Sequence, residues 1–134
     1  MRVVIGGAHN GKREYVKRML SDEPHYWLDC SAGDLEIPTG CKVVVDRIEH
    51  WLARAELPEA EAVEFIMKEI EIEGKDVIFI LTDIGRGIVP MDAEQRKLRD
   101  ACGRLYQRLI AEADEVTRIW YGLAQTLKKR GENI

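Results

Sequence analysis

Three short apolar segments dominate the hydrophobic pattern of the chain: Arg2–Gly6, Lys42–Asp46 and Asp76–Thr82. They are rich in valine and isoleucine and are continuously apolar rather than alternating. This pattern is typical of strands that are covered on both faces of a parallel sheet. A fourth segment, Glu115–Tyr121, mixes polar and apolar residues and suits the edge of a sheet. His25–Cys30 is a candidate for a fifth, short strand.

Helical periodicity fills the segments between these strands. The predicted helices are Gly11–Leu20, Asp46–Ala55 after its first residue or two, Pro58 to near Gly74, and Asp92–Ala113. Strands and helices therefore alternate along the chain, which predicts an α/β fold with a mostly parallel central sheet. Ser31–Cys41 follows neither period and is expected to be a surface loop.

Composition limits the classes of protein that the chain can belong to. A chain of 134 residues, 46% of them hydrophobic, is long enough for one compact domain over residues 1–134 with its own core. The net charge of −4 argues against a protein that coats nucleic acid. No apolar run is long enough to span a bilayer, and the first residues lack the pattern of a signal peptide. The three cysteines, Cys30, Cys41 and Cys102, have no metal-ligand spacing, so we expect reduced thiols and a cytoplasmic protein.

The turn between the first strand and the first helix has the spacing of a phosphate-binding loop, G-x-x-x-x-G-K-[ST], at every position except the last. The loop consists of Gly6, Gly7, Ala8, His9, Asn10, Gly11, Lys12 and Arg13. In such a loop backbone N–H groups and the positive end of the helix dipole surround phosphate oxygens, and the lysine bridges the outer phosphates. The motif predicts that a nucleoside triphosphate, GTP or ATP, binds here. The alternative is a glycine-rich turn without a ligand.

Arg13 stands where the motif has a serine or threonine whose hydroxyl ligates Mg²⁺. A guanidinium can pair with phosphate but cannot coordinate a cation, so the substitution leaves phosphate binding possible and puts the metal in question. Asp46 ends one apolar strand and is predicted to be a metal ligand, as is common in phosphate-loop proteins. Asp83 follows another strand, and Lys12, Asp46 and Asp83 are the predicted catalytic residues. For each aspartate the alternative is a capping or turn residue.

A second loop and the helix that follows it narrow the choice of family. The loop Thr82–Pro90 reads TDIGRGIVP, and the helix and its end contain Arg99, Asp100, Gly103, Gln107, Leu109, Ala113, Asp114, Glu115 and Val116, with Tyr106 in place of an asparagine. With the phosphate loop, these residues resemble the adenosylcobinamide kinase / adenosylcobinamide-phosphate guanylyltransferase family of cobalamin biosynthesis. Its loops read N-E-V-G-x-G-I-V-P and G-G-A-R-S-G-K-S. The resemblance covers the first dozen residues and roughly Asp76 to the end.

The resemblance implies a three-layer phosphate-loop fold, a nucleotide, a corrinoid substrate and a homo-oligomer. The chain departs from the family after the first helix, where it lacks the segment whose histidine becomes guanylylated. Neither His25 nor His50 stands in that motif. The sequence therefore indicates a shortened relative, a kinase-like phosphotransferase that has lost guanylyl transfer. A nucleotide-binding or regulatory protein without catalysis, and an interaction protein with a relic loop, remain as alternatives.

Overall fold

The computed structural model of the protein describes residues 1–8, 10–83 and 92–130, and in them a six-stranded sheet with four helices. The strands lie in the order β2-β3-β4-β1-β5-β6. The elements in chain order are β1 Arg2–Gly6, α1 Lys12–Leu20, β2 His25–Asp29, β3 Lys42–Asp46, α2 Ile48–Arg54, α3 Glu59–Glu71, β4 Asp76–Thr82, α4 Ala93–Glu112, β5 Glu115–Trp120 and β6 Leu123–Lys129.

The predicted α/β class with a mostly parallel sheet is confirmed. The three continuously apolar segments form β1, β3 and β4 with the predicted bounds, and these strands pair in parallel. Their apolar residues are covered on both faces, which explains why the segments show no alternation. The four predicted helices are also present. The longest, α4, begins with a capping box, in which Asp92 accepts a hydrogen bond from the backbone of Gln95 and Gln95 returns one.

The prediction that the segment from Glu115 forms a sheet edge is wrong. β5 lies inside the sheet, parallel to β1 on one side and antiparallel to β6 on the other. The edge strand is β6, which the hydrophobic pattern did not reveal because most of its residues are exposed. Tyr121 and Gly122 join β5 to β6 with φ values of 50° and 76°. Positive φ at both central residues is the requirement of a tight hairpin turn that matches the strand twist.

The two faces of the sheet are packed by different helices. On one face, Val16 and Leu20 of α1 pack against apolar residues of β1, β3, β4 and β5. On the other face, α2, α3 and α4 cover the sheet. The segment 31–41, predicted to be a surface loop, is only partly on the surface. Its Leu35 and Ile37 are buried in the core on the face that α2, α3 and α4 cover. Two apolar residues in an irregular segment have no period from which their burial could be predicted.

Because β1, β3 and β4 are parallel, their carboxyl ends meet at one edge of the sheet. The glycine-rich loop follows β1, Asp46 ends β3 and Asp83 follows β4. Open α/β sheets bind their ligands at this edge. Within the described ranges, no helix is both long enough and apolar enough to cross a bilayer.

Candidate functional site

The glycine-rich loop between β1 and α1 has the backbone that its sequence requires. A side chain on Gly6 would collide with the carbonyl oxygen of Ile119 on the neighbouring strand β5. Gly11, which precedes the first residue of α1, has φ +86°, a conformation that residues with a side chain rarely adopt. Glycine is therefore needed at both ends of the loop. His9, which we predicted to belong to the site, lies outside the described residues.

Two backbone hydrogen bonds fix the loop against its neighbours. The amide of Asp83 donates to the carbonyl of Gly6, and the amide of Gly122 in the hairpin turn donates to the carbonyl of Asn10, both at 3.0 Å. The loop is thus held by the ends of β4 and β5 as well as by β1. These bonds fix Gly6 and Asn10 without the help of a ligand.

Lys12, the first residue of α1, turns back over the loop. Its ammonium Nζ donates to the carbonyl of Gly7 at 2.7 Å, and the residue is only 2% exposed. Burial lowers the pKa of Lys12, and the positive charge of Arg13 lowers it further. A buried cation whose described hydrogen-bond partner is one neutral carbonyl gains stability from an anion, so the position of Lys12 suits a phosphate ligand.

Arg13 and Asp46 form a two-pronged ion pair across the site. Arg13 Nε donates to Asp46 Oδ2 at 2.7 Å, and Arg13 Nη2 donates to Asp46 Oδ1 at 2.9 Å. Asp46 is 1% exposed, whereas the side chain of Arg13 is 36% exposed. The hydrogen bond with Asp46 raises the pKa of Arg13, which stays charged. Both carboxylate oxygens of the predicted metal ligand are therefore engaged by the arginine that replaces the usual hydroxyl.

Further polar side chains surround this ion pair. The indole Nε1 of Trp27 on β2 donates to Asp46 Oδ2 at 3.3 Å, and Arg47 Nη1 lies 3.6 Å from the same oxygen. Arg47 also donates to Asp29 at 2.7 Å and has a left-handed backbone, with φ 59°. Sequence reasoning missed Trp27 and Arg47 as site residues. The only local signal is the position of Arg47 directly after an aspartate that ends a strand.

The structure does not bring the two predicted carboxylates together. Asp46 pairs with Ile80 in the register of β3 and β4, so it lies three residues below Asp83, or about 10 Å along the strand direction. Asp46 points to the face of the sheet that α1 covers, where it meets Arg13. Asp83 instead lines a cavity together with Arg118 and Trp120 of β5. Ile119, which lies between those two residues, packs on the α1 side of the sheet, so the alternation along the strand puts Arg118 and Trp120 on the opposite face.

This cavity lies beside the phosphate loop and has a volume of about 700 Å³. Its walls include Ala8 and Asn10 of the loop and Arg118 and Trp120 of β5. Trp120 is 56% exposed, and the guanidinium of Arg118 lies 5.5 Å from the centroid of its ring. The volume is in the range of sites for small molecules, and the exposed aromatic face could pack against a planar group.

The second glycine-rich loop is described only at its start, because residues 84–90 of Thr82–Pro90 lie outside the described ranges. Tyr106, which departs from the family pattern, is buried on α4 and donates its hydroxyl to the carbonyl of Thr82 at 3.0 Å. Burial raises the pKa of Tyr106, so this hydroxyl keeps its proton. Tyr106 thereby anchors the end of β4, next to Asp83.

Comparison with known proteins gives a family and a fold. A sequence model of the family described as "Cobinamide kinase / cobinamide phosphate guanyltransferase" matches residues 34–127. The phosphate loop, residues 6–13, lies before the matched segment. The bifunctional adenosylcobalamin biosynthesis protein CobU of Salmonella typhimurium is 40% identical over 52 residues, which are 39% of this chain and 29% of that protein. The match therefore spans less than a third of the curated relative.

A solved structure of a protein from Pyrococcus horikoshii OT3 superposes with a TM-score of 0.58. The superposition covers 98% of this chain and 87% of the other, at 7% sequence identity. At this identity the likeness shows the fold alone, and it agrees with an α/β sheet of mostly parallel strands.

Proposed function

The chain belongs to the cobinamide kinase / cobinamide phosphate guanyltransferase family, and on this basis we propose that it is a nucleotide-binding protein of cobalamin biosynthesis that transfers a phosphoryl group. The donor would be GTP or ATP, and the acceptor a cobinamide-type alcohol. Guanylyl transfer, the second activity in the family's description, is proposed to be absent.

The observation that carries this proposal is the position of Lys12. Its buried ammonium lies at the start of α1, and two residues of the loop beside it, Gly6 and Asn10, are hydrogen-bonded to Asp83 after β4 and to the β5–β6 hairpin. The positive end of the α1 dipole and the ammonium of Lys12 both lie beside the loop, and together they favour binding of the outer phosphates of a nucleotide there. The adjacent cavity of about 700 Å³ leaves room for a further part of the nucleotide or for the acceptor.

In the proposed reaction the acceptor hydroxyl oxygen forms a bond to the γ-phosphorus. The bond from that phosphorus to the bridging oxygen breaks, and a nucleoside diphosphate leaves. Lys12 and the loop amides neutralise the charge on the phosphates, because phosphoryl transfer depends mainly on positioning and charge stabilisation. Asp83 lines the cavity beside the loop and would orient the acceptor hydroxyl and receive its proton, which then passes to solvent. Asp46 would act indirectly, by holding Arg13.

A kinase assay with cobinamide tests the proposal. The purified protein is incubated with cobinamide and GTP or ATP, and the phosphorylated product is separated by chromatography. The matched control is Lys12→Met, which keeps the length of the side chain and removes its charge. We expect product with the unaltered protein and loss of nearly all of it with the variant. Equal product from both proteins, or none from either at saturating substrates, would contradict a phosphotransferase.

The loss of guanylyl transfer is supported by the positions of the two described histidines. His25 begins β2 at the amino edge of the sheet, opposite the phosphate loop, and its ring nitrogen lies 2.9 Å from the carbonyl of Glu23. His50 is exposed on α2. Incubation with GTP labelled at the α-phosphorus should leave no acid-labile label on the protein. A labelled histidine would show that guanylyl transfer persists.

A second candidate function is nucleotide binding without catalysis. The Arg13–Asp46 ion pair favours it, because an arginine stands at the position of the metal-binding hydroxyl and hydrogen-bonds both oxygens of Asp46. Calorimetric titration separates the two functions when it is combined with the kinase assay. Saturable binding of GTP or ATP without turnover of cobinamide supports the binding protein, whereas binding with turnover supports the enzyme.

We also propose that the protein forms a homo-oligomer, as its family resemblance implies. The exposed apolar side chains of the β5–β6 hairpin, Trp120, Tyr121 and Leu123, support self-association. Sedimentation equilibrium should give a mass above that of one chain. Replacing Tyr121 and Leu123 with serine should lower it, and a monomeric unaltered protein would contradict the proposal.

A further inference from the structure

Phosphate loops with the lysine-hydroxyl pair usually hold Mg²⁺ through that hydroxyl, with a carboxylate nearby that binds the ion directly or through water. The residues present here do not fit such an ion. Arg13 replaces the hydroxyl, and a guanidinium has five N–H donors and no acceptor. Asp46, at the end of β3, is the predicted metal ligand, and both its oxygens accept hydrogen bonds from Arg13. A metal at this point would have to displace the arginine from a carboxylate that is 1% exposed.

No other group of side chains in the described ranges offers a replacement. Among residues 1–8, 10–83 and 92–130, no three or more histidine, cysteine, aspartate or glutamate side chains are grouped so that they could hold a metal ion. Asp83 lines the cavity on the other side of the sheet. The second carboxylate therefore does not complete a metal site with Asp46.

We propose that the guanidinium of Arg13 takes the place of the divalent cation, so that the protein binds nucleotide phosphates without metal. This inference rests on the proposed nucleotide binding. Asp46 becomes the counter-ion of Arg13 rather than a metal ligand. Lys12 and Arg13, adjacent in sequence at the start of α1, then supply the two positive charges that face the phosphates.

The remaining donors of Arg13 make this arrangement possible. Asp46 uses Nε and Nη2, which leaves Nη1 and the second hydrogen of Nη2 for an anion. The side chain as a whole is 36% exposed, so part of it is in contact with solvent. An arginine fork pairs well with phosphate oxygens, and its geometry is fixed here because Asp46 is itself held by the indole of Trp27.

The test is calorimetric titration of GTP and of ATP into the unaltered protein, once with excess magnesium chloride and once with EDTA. We expect dissociation constants that agree within about twofold between the two conditions. The informative variant is Arg13→Ser, which restores the usual hydroxyl and releases Asp46. It should bind at least about tenfold more weakly in EDTA and recover at least about tenfold with Mg²⁺. Arg13→Lys is the matched control, since it keeps the charge without the fork and should remain insensitive to Mg²⁺.

A second readout uses Mn²⁺ in place of Mg²⁺ and measures its free concentration by electron paramagnetic resonance. If the nucleotide binds equally well with and without metal, the unaltered protein must leave the nucleotide's affinity for Mn²⁺ unchanged, within about twofold. With Arg13→Ser that affinity should rise at least about tenfold, because the ion gains ligands from the protein. Thermal melting confirms that each variant is folded. If Arg13→Ser does not fold, the titrations of the unaltered protein and of Arg13→Lys decide.

The outcomes separate this inference from the proposed function. Tenfold or greater tightening by Mg²⁺, or a tenfold higher affinity of the nucleotide for Mn²⁺ on the unaltered protein, would overturn the substitution of the metal by Arg13 and leave nucleotide binding standing. No binding in either condition would overturn both. Binding that is equal with and without Mg²⁺ supports both.

Discussion

Removing Arg13 from its ion pair with Asp46 should lower the free energy of unfolding more than removing the charge of Asp46 does. Arg13→Met would leave a carboxylate that is 1% exposed without its two shortest hydrogen bonds, at 2.7 and 2.9 Å. Removing one partner of a fully buried pair costs about 3–5 kcal/mol. Here Trp27 and Arg47 stay near the carboxylate, at 3.3 and 3.6 Å. We therefore expect a loss somewhat below that range, about 2–3 kcal/mol.

Asp46→Asn should cost much less. It would leave the guanidinium of Arg13, whose side chain is 36% exposed and can be hydrated. The expected loss is about 1 kcal/mol, as for ion pairs in contact with solvent. The double variant, Arg13→Met with Asp46→Asn, has no buried carboxylate at this position, so it should be more stable than Arg13→Met alone. Such a rescue is the signature of coupling between the two sites.

The assay is urea unfolding of the unaltered protein, the two single variants and the double variant. The free energy of unfolding is obtained by linear extrapolation at a common slope. A loss under about 0.5 kcal/mol for Arg13→Met would contradict this prediction, since the variant removes the two shortest hydrogen bonds of a buried carboxylate. A larger loss for Asp46→Asn than for Arg13→Met would refute it as well. So would losses that simply add in the double variant.

Three further predictions concern other described residues. Lys12→Met should raise the free energy of unfolding while abolishing nucleotide binding, because burial lowers the pKa of Lys12 and its charged form destabilises the folded chain at neutral pH. A loss of stability in urea titration would contradict this prediction. Gly6→Ala should cost about 2 kcal/mol, since the added carbon meets the backbone of Ile119, whereas Gly103→Ala, in open space on α4, should gain about 0.5–1 kcal/mol. Thermal melts of the two variants should shift in opposite directions. Burial raises the pKa of the Cys30 and Cys102 thiols to about 12, so at pH 8 Cys41 alone of the three cysteines should react quickly with Ellman's reagent in the folded protein. All three should react quickly in urea, and a second fast thiol in the folded protein would contradict the burial of Cys30 and Cys102.

The elements that could be predicted from the sequence are those with a strong local pattern. β1, β3 and β4 were predicted with their observed bounds because a run of Val and Ile covered on both faces has few other interpretations. β6 was missed because Leu123–Lys129 owes its strand conformation to pairing with β5 rather than to its own pattern. The burial of Leu35 and Ile37 likewise depends on what packs over them.

The same distinction between local pattern and long-range packing holds for the candidate site. The loop residues and Lys12 were read from a motif whose spacing reflects local backbone geometry, and the structure places Lys12 over that loop. The ion pair was not predicted. It requires the strand order, which puts β3 two strands from β1 and brings Asp46 within reach of Arg13 on α1. A strand order is a property of the whole chain, and no short segment encodes it.

The most direct test of the account is a crystal structure of the protein with a non-hydrolysable GTP analogue, grown in magnesium chloride. We expect the outer phosphates to lie in the loop 6–13, within hydrogen-bond distance of Lys12 Nζ and Arg13 Nη1, while Asp46 remains paired with Arg13. A magnesium ion bound by Asp46, or an analogue bound away from this loop, would contradict it.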